Sequence, residues 1–145
     1  MKYPKLIAGG VASTLALLAA SPAVSGPTKL VITERDDQFH QLDNPPTGES
    51  AGDLFAITER LYDRTGHHRI GRADISAVET DVSHHLAEIT ATFSLPHGEI
   101  SIQGVQPFKR PRFTAAVIGG TGKYAGARGS VQLDGPRGRY TFTLR

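Results

Sequence analysis

Apolar and polar residues alternate with a period of two along most of this chain. After residue 26 no segment holds an i, i+3, i+4, i+7 apolar pattern for three turns. Eight runs are predicted as strands: residues 29–36, 53–62, 69–80, 86–95, 99–105, 113–118, 129–133 and 139–144. The alternation is clearest in the fourth, where Ala87, Ile89, Ala91, Phe93 and Leu95 face one way and Glu88, Thr90, Thr92 and Ser94 the other. It returns in the eighth, where Tyr140, Phe142 and Leu144 oppose Thr141 and Thr143.

The links between these runs carry turn chemistry. Asp63-Arg64-Thr65-Gly66, Pro96-His97-Gly98 and Gly135-Pro136-Arg137-Gly138 read as short hairpin loops. The longest connection, residues 37–52, contains Asn44-Pro45-Pro46-Thr47-Gly48, and its prolines predict a loop. Eight consecutive strands with short links make an antiparallel up-and-down meander. Closing that meander removes its two bare edges, so the predicted fold is an all-β, eight-stranded antiparallel barrel. A barrel of this size has room for side chains or for one small ligand. The faces assigned to its interior are rich in small residues: Gly71, Ala73, Ala77, Ala87, Ala91 and Ala115. They leave space for a ligand cavity, or else pack opposite large aromatics in a filled core.

Composition narrows the chemistry. The 145 residues include no Cys, which removes thiolate nucleophiles, thiolate metal sites and disulfides together. The length allows one domain plus a leader. The first 25 residues have basic Lys2 and Lys5, an apolar run over residues 6–20, and a small-residue exit ending at Ser25. This is the pattern of a cleaved secretory signal peptide, expected at residues 1–25, with the barrel domain at 26–145. The apolar run is shorter than the roughly 20 residues of a membrane span, so no stable membrane anchor is expected after cleavage. The expected location is extracellular or periplasmic. Without the leader, 14 basic residues balance 14 acidic ones, although residues 106–145 hold 8 of the basic and only 1 of the acidic. In a meander those residues interleave with the acidic part, and nucleic acid is not expected as a partner.

The most distinctive segment is residues 116–131, AVIGGTGKYAGARGSV. A dinucleotide fingerprint needs a helix after its glycines, whereas here another Gly-rich turn and a strand follow. A phosphate-binding P-loop fails as well, because Tyr124 follows Lys123 where Ser or Thr is required. Several glycines at positive φ, with Tyr124 packed as a plug, are expected instead. The pattern Gly119-Gly120-Thr121-Gly122, Tyr124, Ala127-Arg128-Gly129 resembles the loop of dirigent proteins. Glu34-Arg35-Asp36, Gly52-Asp53-Leu54, Leu61-Tyr62, Arg69-Ile70-Gly71 and Ser101-Ile102-Gln103-Gly104 resemble motifs of allene oxide cyclases. The resemblance to this joint superfamily runs in order along nearly all of residues 26–145. It implies an eight-stranded barrel and a homotrimer.

Matched position by position, the cyclase site is mostly replaced. The resemblance puts Val31 at the substrate-facing glutamate and Thr33 at an asparagine that helps hold a water. Phe39-His40 falls near a Ser-Pro pair, Glu59 at an interior asparagine, and Ala77 at a cysteine. On the dirigent side, Phe113 takes the place of a pocket arginine, and Arg112 should face the other way.

Glu59 is the candidate catalytic residue. It shares a strand face with Phe55, Ile57 and Leu61, so burial should raise its pKa toward general acid or base work. The opposing possibility is that this face points outward or that an arginine pairs with Glu59. Val31, Thr33, Ile57, Ala77 and Phe93 are the candidate substrate-binding residues, Phe93 alternatively being plain core. His67-His68 and His84-His85 fall in loops at opposite ends of a meander. Neighbours on a strand point to opposite faces, so no metal site is expected from either pair. No cofactor is implied. The expected function is binding of a small apolar ligand, with isomerase or cyclase activity on it. The alternative is a dirigent-like or carrier protein without proton chemistry.

Overall fold

The computed structural model describes residues 27–145, so the predicted leader lies outside the described residues. Eight strands follow one another: β1 (Thr28–Leu42), β2 (Leu54–Tyr62), β3 (Arg69–Asp81), β4 (Leu86–Leu95), β5 (Gly98–Pro107), β6 (Arg112–Gly120), β7 (Gly129–Asp134) and β8 (Arg139–Leu144). Each pairs antiparallel with the next, and β1 closes on β8 to complete a barrel. Two single 3₁₀ turns, Gly122–Tyr124 and Gly135–Arg137, interrupt the loops. No helix among the described residues is long and apolar enough to cross a membrane.

The strands appear where period-two alternation put them, with one correction. β1 continues to Leu42, six residues past its expected end, and the connecting loop shrinks to residues 43–53. The cause is a β-bulge between Asp36 and Gln38 in the ladder with β2. The extra residue reverses which parity faces inward, from Ile32, Glu34 and Asp36 to Phe39 and Gln41. The polar run Asp36-Asp37-Gln38 hides this change from any reading that assumes one unbroken period. Buried Asp53 then fastens the loop, its carboxylate accepting hydrogen bonds from the Asn44 and Ser50 amides at 2.9 and 3.1 Å and from the Ser50 hydroxyl at 3.0 Å. These bonds hold its pKa below the usual carboxylate value.

The strands differ in length, and that difference shapes the interior. β7 and β8 have six residues each, so β8 covers only residues 28–33 of β1. The rest of β1 stands beyond β8 and pairs with β2 alone. The β5–β6 ladder likewise stops at Gln103 and Ala116. One end of the barrel is therefore closed all round, and the other rises on the β1–β5 side as a half-cup. At the closed end Phe93 packs edge-on against Tyr140 and Phe142, with ring centroids 4.9 and 5.0 Å apart. Ile32, Leu61 and Ile100 complete this core without solvent exposure. Tyr124, as expected of a plug, packs against it from the Gly-rich loop. Close backbone approach accounts for one glycine there: Gly129 sits at φ +134° against the Thr143 carbonyl, where a side chain has no room.

Candidate functional site

Ladder register brings the acidic residues together. Asp36 pairs with Glu59 and Glu34 with Leu61, so Glu34, Asp36 and Glu59 all point to the barrel interior. One oxygen from each carboxylate lies within 4.8 Å of the others. Tyr140 enters from β8, opposite Ile32, and its hydroxyl donates to Glu59 Oε1 at 3.1 Å and Oε2 at 3.0 Å. Glu59 is 7% exposed. Loss of water is the main reason its pKa is pushed up to about 8, helped by the Glu34 and Asp36 charges and opposed by the Tyr140 hydrogen bond. Burial, then Asp36, also raises Glu34. Tyr140 is raised by burial and by the neighbouring Glu59. Three crowded carboxyls therefore retain a proton at neutral pH, and it rests on the most buried of them.

These three carboxylates are the group among the described residues with the spacing to hold a cation. The Tyr140 donor already engages both Glu59 oxygens. That geometry suits a shared proton better than a metal ion.

Space adjoins this proton. A narrow chamber of about 70 Å³ is lined by Glu59, Tyr140, Ile57, Ile75, Phe113 and Leu133, among others. Toward the half-cup it meets two wider clefts. One, of about 410 Å³, runs past Asp36, Asp37 and Phe39. The other, of about 400 Å³, runs between Phe39, Phe55 and Phe108 to Ala77 and Glu79. Ile57 and Gln106 border all three spaces, which makes them one branched cavity. A shallower depression of about 510 Å³ crosses the outer face, lined by hydroxyls such as Thr58, Ser76 and Thr90.

The residues expected from the sequence separate into two groups. Glu59, Ile57 and Ala77 line the cavity. Glu59 faces inward and is bonded by a tyrosine, not an arginine. Val31 and Thr33 do not reach the cavity: the inward positions of β1 are Ile32 and Glu34, one residue along, because those are the partners of Tyr140 and Leu61. Thr33 instead packs beneath the β2–β3 hairpin at Gly66. Phe93 faces the interior but is fully buried in the closed-end core, so it is core and not a lining residue. His67, His68, His84 and His85 sit in loops as expected, and His68, His84 and His85 each bond a carboxylate, of Asp63, Asp81 and Glu49.

Asp36, Tyr140, Glu79 and Phe39 line the cavity, and Glu34 stands beside Glu59, without having been singled out as site residues. Glu34 and Asp36 share parity with Ile32, and Glu79 with Ala73 and Ala77, so alternation carried a signal for those three. Nothing local signals that Tyr140 meets Glu59, 81 residues away.

No family model matches the chain, and no curated protein sequence matches it. Among solved structures it is similar to a pyocyanin demethylase, at 24% identity over 81% of this chain and all of the other, with a TM-score of 0.76. A pterocarpan synthase dirigent protein shares 18% identity over 81% of this chain and 83% of its own, with a TM-score of 0.64. An exo-specific intermolecular Diels-Alderase shares 17% identity over 83% of this chain and 98% of its own, with a TM-score of 0.61. The chain thus has the barrel fold found in dirigent proteins and in cyclase-type barrels; at these identities the likeness is one of fold.

Proposed function

We propose that this chain is a secreted barrel that binds a small, largely apolar molecule in the branched cavity and isomerises or cyclises it by proton transfer from Glu59. The observation that carries this reading is a buried carboxyl with a pKa near 8, placed at the inner end of a cavity. At neutral pH such a group holds the proton that a general acid must give. As it delivers that proton to a substrate oxygen or carbon, the Tyr140 hydroxyl donates to the carboxylate left behind. The substrate loses a different proton to water and Glu59 regains one from water, so the net reaction is a rearrangement. The apolar walls add to the rate by confining a flexible substrate to one folded shape.

The names of the structural neighbours support a barrel that shapes a reactive molecule, as does the sequence resemblance to allene oxide cyclases. Secretion follows from the leader, and a homotrimer from the resemblance; both belong to this proposal. The second reading, a dirigent-like or carrier protein, is favoured by one observation: the clefts of the half-cup are far wider than the chamber at Glu59. A ligand held there need never touch the carboxyl.

Native mass spectrometry of the protein from its secreted fraction, followed by organic extraction, identifies what is bound and how many chains bind it. Turnover of the extracted compound is then compared between wild type and Glu59→Gln. An enzyme using this carboxyl loses at least about 100-fold in turnover while still binding. Unchanged binding with no turnover in either protein establishes the carrier.

A further inference from the structure

Three loops of the half-cup rim meet at His85. Its carbonyl accepts the Phe108 amide of the β5–β6 loop at 2.9 Å. Its Nδ1 lies 2.9 Å from Glu49 Oε1, in the loop that joins β1 to β2. His85 itself ends the β3–β4 turn at φ +53°, a left-handed backbone that is uncommon for any residue but glycine. Such strain persists where surrounding contacts need the residue aimed one way.

Glu49 also shares a side-chain hydrogen bond with Glu79 of β3, which is 2% exposed. Two ionised carboxylates offer acceptors only, so this bond lasts only while one of them holds a proton. The main chain docks at the same point: the Gly52 amide donates to the Glu79 carbonyl at 2.8 Å, and the Glu79 amide to the Asp53 carbonyl at 2.9 Å. Among the described residues, the charged groups acting on Glu79 are Glu49 and Asp53 of the β1–β2 loop and His85 of the β3–β4 turn. The strands around it present uncharged residues, Gln41, Phe55, Ala87 and Gln106. Burial first, then Glu49 and Asp53, raise the Glu79 pKa, and the charge of His85 offsets part of the rise.

We infer that Glu79, Glu49 and His85 form a proton-operated latch that holds residues 43–53 against the rim of the cleft and frees them as pH rises. With the loop closed, Glu79 keeps its proton above its ordinary value of 4.5. A loop that swings out exposes Glu79 to water and returns it toward that value. The closed state therefore binds the extra proton; its advantage is complete below the ordinary value and is lost as pH rises toward the raised one. Once Glu79 ionises, it faces two like charges with His85 alone to offset them. Glu49 and Phe108 both line the cleft of about 400 Å³, so release of the latch widens its entrance. This control of entry rests on the ligand-binding reading above, whereas the latch itself needs no ligand.

Amide exchange followed by NMR on the intact protein, at pH 5 and pH 8 and corrected for intrinsic rates, tests the latch. The Gly52 amide should lose at least about tenfold in protection over that range. At both pH values it should be less protected than the amides of β8, the mark of a loop that opens alone. Glu79→Gln keeps the side-chain hydrogen bond without a charge, and should hold Gly52 protection within about twofold between the two pH values. If that variant does not fold, Glu49→Gln at the half-exposed partner should remove the response in the same way. Wild-type protection that ignores pH, exchange of Gly52 in step with β8, or a pH response surviving the substitution overturns the latch. The neutral dye Nile red then reads the entrance: its rate of binding should rise at least about tenfold from pH 5 to pH 8 in wild type and stay level in Glu79→Gln. Equal wild-type rates overturn the control of entry. Binding at neither pH counts against the ligand-binding reading, and the amides alone then decide the latch.

Discussion

The closed and cupped ends of this barrel are built by the same strands, yet they meet opposite demands. At the closed end β1, β4 and β8 supply Ile32, Phe93, Tyr140 and Phe142, which bury one another completely or nearly so. At the cupped end β2 and β3 supply Ile57, Glu59, Ala77 and Glu79, and the space opposite them is empty of side chains. Two features make the difference: β7 and β8 are short, and the bulge at Asp37 turns Phe39 and Gln41 inward beyond them. Stability is concentrated at one end of the barrel, and that frees the other to hold groups that cost stability.

The sharpest way to break this comparison is to truncate one aromatic ring at each end. Phe142→Ala should destabilise the protein by about 3–5 kcal/mol in urea unfolding, because its site is dry and closely packed. A loss below about 1 kcal/mol would mean that the closed end is not the structural core.

The carboxyls of the cup predict the next effect. Glu59 stays neutral in the fold up to about pH 8, whereas its ordinary value is 4.5. Between those values the native state holds a proton that the unfolded chain has released, so stability falls as pH rises. From pH 5 to pH 8 the decline should be roughly 3 kcal/mol, and Glu59→Gln should flatten it. Parallel denaturation curves at the two pH values read this directly, and equal slopes for both proteins would show that Glu59 ionises normally.

Backbone strain gives a smaller test at the closed end. Gly129→Ala should cost roughly 1–3 kcal/mol, since the residue needs a positive φ and lies against the Thr143 carbonyl. The smallest effect belongs to the cup. Phe39→Ala should change stability by less than about 0.5 kcal/mol, the ring being mostly exposed.

Most of the barrel could be read from the chain, because alternation of side chains between two faces is a local property and eight alternating runs leave few ways to hide their edges. Glu59 was legible for the same reason: it shares a face with Phe55, Ile57 and Leu61, and a carboxyl there must lose water. Tertiary structure decided the rest. Pairing with β8 set Ile32 opposite Tyr140, so Ile32 and Glu34 face inward in place of Val31 and Thr33, and the bulge at Asp37 then turned Phe39 and Gln41 inward further along β1. Ladder register set Asp36 beside Glu59, and barrel closure carried Tyr140 to it from the far end of the sequence. Unequal strand lengths left the cup empty around Glu79 while Phe93 was sealed into the core. Alternation depends on neighbours one and two residues apart, whereas a shared proton or an open cleft depends on strands whose positions only the closed barrel fixes.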